Sequence, residues 1–142
     1  MAAVEFAILG SVLCLFIGGI IDFGHAFYMK QVITNAAREG TRYAVAYRKN
    51  TNPNSVERTV PSQAAISAFV KTDANGPKLS QTLPASTNPT VTAAGTGLST
   101  KKKGDPVEVT VTATKNWCIV ATFVPCMSAT TDLSSTTVMQ LE

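Results

Sequence analysis

Glu5 is the only charged side chain in an apolar run that extends over residues 1–21. A carboxylate placed that deep in hydrocarbon is costly unless it is paired or lines a polar path. The nearest candidate partner is an α-amino group, that of Met1 in the same chain or in a neighbouring subunit. The chemistry on offer is therefore ion pairing at an interface. A second pair, Asp22 and His25, shares a helix face three residues apart. Such a pair could relay a proton, but an interfacial polar pair explains it more simply. Cys118 and Cys126 lie eight residues apart, too far for a C-x-x-C redox motif. In a domain outside the cytoplasm they read as a structural disulfide closing a short loop, stabilising it by roughly 2–3 kcal/mol. Cys14, inside the apolar run, reads as a small buried hydrophobe.

Nothing else in the chain composes a catalytic centre. There is a single histidine, no nucleophile elbow, no phosphate-binding glycine loop and no metal-ligand spacing. The residues therefore imply neither an enzyme nor a cofactor. A net charge of +3 is mild, and Lys101, Lys102 and Lys103 form the one basic run. Without an aromatic platform beside it, that run reads as a solvated loop and not as a nucleic-acid site.

The elements that must position Glu5 begin with the apolar run. Residues 2–21 form about 20 positions, or about 30 Å as a helix, which matches a bilayer core. The run lacks a basic start and is interrupted by Glu5, unlike an ordinary signal peptide. Met1 reads either as an initiator or as the first residue left after a leader is removed. The helix is expected to continue to residue 47. Its second half is amphipathic, with Val32, Ala36, Gly40, Tyr43 and Tyr47 on one face and Lys30, Arg38, Glu39, Arg42 and Arg48 elsewhere. Gly10, Gly18, Gly19 and Gly24 lie in or near the span; they read as close-packing positions, and Gly18-Gly19 as a stretch able to unwind.

Residues 50–54, with Pro53, end the helix. A shorter helix is expected over 62–71, with Pro61 in its first turn and Ala65, Ile66, Phe69 and Val70 buried. Residues 76–104, rich in Thr, Ser, Pro and Gly, read as a long surface excursion with a short strand near Val91. Val107, Val109, Val111 and Ala113 alternate with polar residues as a half-buried strand. Residues 119–124 are a short apolar piece, and 134–142 read as a final antiparallel strand. The expected fold is α+β, with a long N-terminal helix (1–48; span 1–21, amphipathic part 22–48) and a head (49–142) built on a small antiparallel sheet.

Three stretches together resemble a family. "AAVEFAILG" carries Glu5-Phe6. "IIDFGHAF" carries Asp22-Phe23-Gly24. "AAREGTRYA" carries Arg38, Glu39, Gly40, Arg42 and Tyr43. In this the chain resembles the TadE-like pilins of the tight-adherence pilus systems, over about its first third. The resemblance implies a type IV pilin-like subunit, cut by a prepilin peptidase so that the acid stands at mature position five. It implies insertion in the inner membrane, then transfer by an assembly platform into an extracellular homo-oligomeric filament with a role in adhesion. Glu5 of an incoming subunit would pair with the Met1 amine of its neighbour, while Ala3, Ala7, Gly10 and Ser11 allow close helix packing. Two other readings stand beside it. One is a minor pilin that starts or tips a filament of another subunit; the other is a membrane-anchored envelope-binding protein that never polymerises.

Overall fold

The computed structural model describes residues 1–46, 48–49, 58–123 and 128–141. A single 44-residue helix, α1 (Ala2–Val45), opens the chain. It ends where Ala46 turns extended and donates its N–H to the Arg42 carbonyl. Tyr47 and the turn expected at 50–54 lie outside the described residues. Two short strands, β1 (Arg48–Lys49) and β2 (Arg58–Thr59), then pair antiparallel.

The second helix, α2 (Gln63–Lys71), starts one residue later than expected. Ser62 is its N-cap, the side-chain oxygen accepting the Ala65 N–H at 3.3 Å. Pro61 therefore stands one residue outside the cap, not in the first turn. Ile66, Phe69 and Val70 are buried as the spacing predicts, and Ala65 is half-buried.

The head is a three-stranded antiparallel sheet ordered β3 (Thr90–Ala94), β4 (Pro106–Asn116), β5 (Thr130–Gln140). The central strand β4 alternates strictly, with Val107, Val109, Val111, Ala113 and Lys115 inward. Burying each of those valines contributes about 1.5–3 kcal/mol before the entropy of ordering it. The final strand starts at Thr130, earlier than expected, and pairs with β4 along its whole length, Pro106 with Gln140 through Asn116 with Thr130. Its first residues lack the alternation that would have revealed them; the partner strand supplies the register. Together, one long helix and an antiparallel sheet make an α+β fold with a type IV pilin-like layout.

The C-terminal half of α1 lies under the sheet and buries Met29, Ile33, Ala36, Ala37, Gly40, Thr41, Ala44 and Val45. The expected face is correct in direction but centred slightly off: Val32 and Tyr43 flank it, half-buried. Tyr43 stacks on Phe69, ring centroids 4.0 Å apart. The small residues are what let α2 and the sheet approach. A Cβ on Gly40 would lie 2.7 Å from Val70 Cγ2 and 3.3 Å from Val109 Cγ1. We expect Gly40→Ala to be destabilising by about 1 kcal/mol net, since overpacking against stiff valines costs about 1–3 kcal/mol and the helix gains about 1 kcal/mol. The same change at Gly24, which has nothing within 4 Å, should leave stability unchanged or raise it. Urea midpoints of the two variants in detergent check this; equal shifts would remove the packing argument.

Residues 76–104 depart from the expected surface excursion. They form α3 (Leu79–Thr82), a 3-10 turn, β3 and α4 (Thr96–Thr100), and they place Leu79, Leu83, Val91 and Ala93 in the core. The strand near Val91 is five residues long and fully paired with β4. Leu79 and Leu83 are set singly among polar residues, so no period announces them, whereas Val91 and Ala93 alternate with Thr90 and Thr92. Gly95, at φ +111°, makes the turn from β3 into α4 with its α-carbon against the Pro106 backbone.

Candidate functional site

Among the described residues, 1–17 of α1 lie almost wholly exposed. Phe6, Phe16 and Ile20 are 78%, 68% and 72% exposed. Helix α1 is long and apolar enough to cross a membrane, and its apolar stretch is almost wholly unburied. An apolar surface of that extent needs lipid or protein to cover it. Glu5 projects from the first turn of this helix, exposed, with Met1 fully exposed before it. Ala3, Ala7, Gly10 and Ser11, spaced by three and four, share a stripe of small residues. The Ser11 hydroxyl is satisfied within the helix, donating to the Ile8 carbonyl at 2.8 Å.

Helix α1 is continuous through Gly18 and Gly19. Gly19, Gly10 and Gly24 have nothing within 4 Å, whereas a Cβ on Gly18 would lie 2.4 Å from Ile119 Cγ2. Gly18 is thus covered by the head.

Four residues later Asp22 fastens that contact. Its Oδ2 accepts the N–H groups of Ile119 at 2.8 Å and Val120 at 3.0 Å, and its Oδ1 takes a longer contact from the Cys118 N–H at 3.5 Å. These amides lead into the short helix α5 (Val120–Phe123), whose first N–H groups have no partner inside their own helix. Lys115 Nζ lies 3.4 Å from Asp22 Oδ1, and both side chains are buried, at 2% and 6% exposure. The ammonium also donates to the Asn116 carbonyl and lies 5.0 Å from the centre of the Trp117 ring. Phe23 meets Trp117 edge to face, centroids 5.3 Å apart. Burial pushes the Asp22 carboxyl up, but the N–H groups of Val120, Ile119 and Cys118 and the Lys115 charge outweigh it. The group is held below its ordinary value.

The expected Asp22–His25 pair is therefore replaced. The carboxylate is taken up by the head, while His25, half-buried, stacks on Tyr28 with centroids 6.5 Å apart. Both residues line one wall of a cavity of about 410 Å³ beside Met29, Thr87 and Lys115. Cys118 is exposed at the start of this segment; Cys126 and Val124 lie outside the described residues. Further along α1, Gly40 and Tyr43 face the core. Arg38, Glu39 and Arg42 line an open groove with Asn35, Thr137 and Met139.

Lys115, Trp117 and Ile119 were not singled out by the sequence reading. Lys115 had a signal: it occupies the next inward position after Val107, Val109, Val111 and Ala113. A cation on the core side of a strand requires a buried acid, and Asp22 is that acid.

The search of curated proteins and that of solved structures find no match to the chain. The family model of TadE-like proteins matches residues 1–42. That stretch holds Glu5, Asp22-Phe23-Gly24 and the helix turn Arg38–Arg42, and over it the chain is similar to TadE-like proteins.

Proposed function

We propose that the chain is a structural, pilin-like subunit that polymerises through α1 into an extracellular Tad-type pilus filament. The observation that carries this reading is the contrast along one helix: residues 29–45 bury one face under the head, and residues 1–17, apolar but for Glu5, are almost wholly exposed. The TadE-like match over the same helix supports a pilus-associated role.

In this proposal residues 1–21 cross the inner membrane, 22–48 carry the head, and 49–142 form it. A prepilin peptidase removes a leader and frees the Met1 amine. The inner-membrane assembly platform then moves the subunit into the growing filament, alone or beside other pilins. Glu5 of the incoming subunit pairs with Met1 of a subunit already placed. Both groups lose water, so the pair fixes axial register more than it adds stability. Ala3, Ala7, Gly10 and Ser11 let neighbouring helices approach closely, and Gly18-Gly19 gives the core helix a place to unwind. A Cys118–Cys126 disulfide would tie the segment after the clamp. Displayed heads would serve surface attachment. The test is a Glu5→Ala chain that inserts yet does not assemble, compared with the native chain for filament yield.

A further inference from the structure

The geometry points to the segment 117–120 as a membrane-interface foot: in the unassembled subunit, Trp117 and Ile119 rest in the headgroup layer of the bilayer and set the height of the head. This rests on reading residues 2–21 as a membrane span.

The span and the head overlap along the helix axis. Counted from Ala2, a hydrocarbon core of about 30 Å ends near Ile21. Ile119 packs on Gly18, which lies about 4.5 Å below that level at 1.5 Å per residue. A head that touches Gly18 cannot stand clear of the bilayer; its lowest segment enters the boundary. The residues at that level suit the place. Trp117 is half-buried, its ring edge to face with Phe23, and its indole N–H donates to the Thr131 hydroxyl at 2.8 Å. Phe23, Phe27 and Tyr28, 50–74% exposed, continue the aromatic ring around the helix. Aromatic side chains with a polar tip concentrate at this depth in membrane proteins.

The charges agree with it. Asp22 would end the apolar surface if it faced lipid. Instead its carboxylate is folded under the foot, held by three N–H groups and Lys115. The foot thus neutralises the acid that directly follows the apolar run and presents Trp117 and Ile119 there. The surface is continuous with the span, and a bilayer is the occupant that continuity selects.

Trp117 is the only tryptophan in the chain, so its fluorescence reports on the foot alone. The full chain is reconstituted at low density in phosphatidylcholine vesicles carrying a nitroxide near the headgroup or near the chain ends. Flotation of the vesicles first establishes insertion. The foot predicts quenching at least about twofold stronger by the shallow label than by the deep one, with iodide in the buffer a weak quencher. The double variant Trp117→Phe with Phe23→Trp should report the same depth from the helix side. A chain that floats but whose Trp117 is quenched by iodide and not by lipid labels overturns the foot and leaves the span intact. Trp117 shielded from every quencher also overturns it, assigning the surface to a second copy of the chain. A chain that does not float overturns the span and the foot together.

Discussion

A Glu5→Ala chain is expected to accumulate in the membrane and to be missing from filaments. Removing the acid eases insertion, because a carboxylate in the hydrocarbon costs about 2–3 kcal/mol even on insertion scales. Assembly suffers for the opposite reason. The Met1 amine of the receiving subunit would be buried without its counter-charge, and breaking one side of a buried pair costs about 3–5 kcal/mol. At 1.4 kcal/mol per tenfold, affinity for the filament end falls by about 100-fold or more. Glu5→Gln separates the contributions, since it keeps a hydrogen-bonding group, worth about 0.5–1.5 kcal/mol, and removes the charge. Its yield should lie between the two. The measurement is the amount of chain in the sheared surface fraction against that in the membrane. A normal sheared yield from Glu5→Ala would remove the register role given to this residue.

Breaking the Asp22 clamp should be the most damaging single change to the folded chain. Asp22→Ala leaves Lys115 buried without its acid, and it orphans the N–H groups of Cys118, Ile119 and Val120. The expected loss is about 3–5 kcal/mol, a large share of the 5–15 kcal/mol that holds a typical domain. Lys115→Met should be milder, because the amides still satisfy the carboxylate. The double variant should recover part of the loss, as coupled neighbours do. Urea midpoints in detergent, with hydrogen exchange at the amides of 118–120, would register both the loss and its place. A pH series adds a sign. The carboxyl is depressed in the folded state, so its contribution is complete above the unfolded value of about 3.9 and is lost as pH falls through the lower folded value. Asp22→Asn should lose that acid-side slope. A midpoint for Asp22→Ala within about 1 kcal/mol of the native chain would mean that the head does not depend on the clamp.

The parts of the molecule that were legible in the sequence are those with a period. The long helix, its inward face, the β4 alternation and the short helix behind Ser62 follow from spacing alone. Of 76–104 only the strand near Val91 was legible; Leu79 and Leu83 enter the core singly from polar surroundings, so the rest read as a surface excursion. At Asp22 the sequence suggested His25 as partner, since helical spacing exposes only neighbours within one element. Lys115 and the amides of 118–120 come from 93–98 residues away, and only the antiparallel return of β4 along α1 brings them there. Glu5 stood out for the reverse reason: its surroundings are local and uniformly apolar, so one charge in them is conspicuous.

Both experiments above act on a subunit proposed to leave the membrane for a filament, and that step can be observed directly. The measurement is N-terminal and intact mass spectrometry of material sheared from the surface of the source cells. The account predicts that this chain is abundant in the sheared fraction, beginning at Met1 with its leader removed and its α-amine available to Glu5. A chain confined to the inner membrane with an uncut terminus would contradict it.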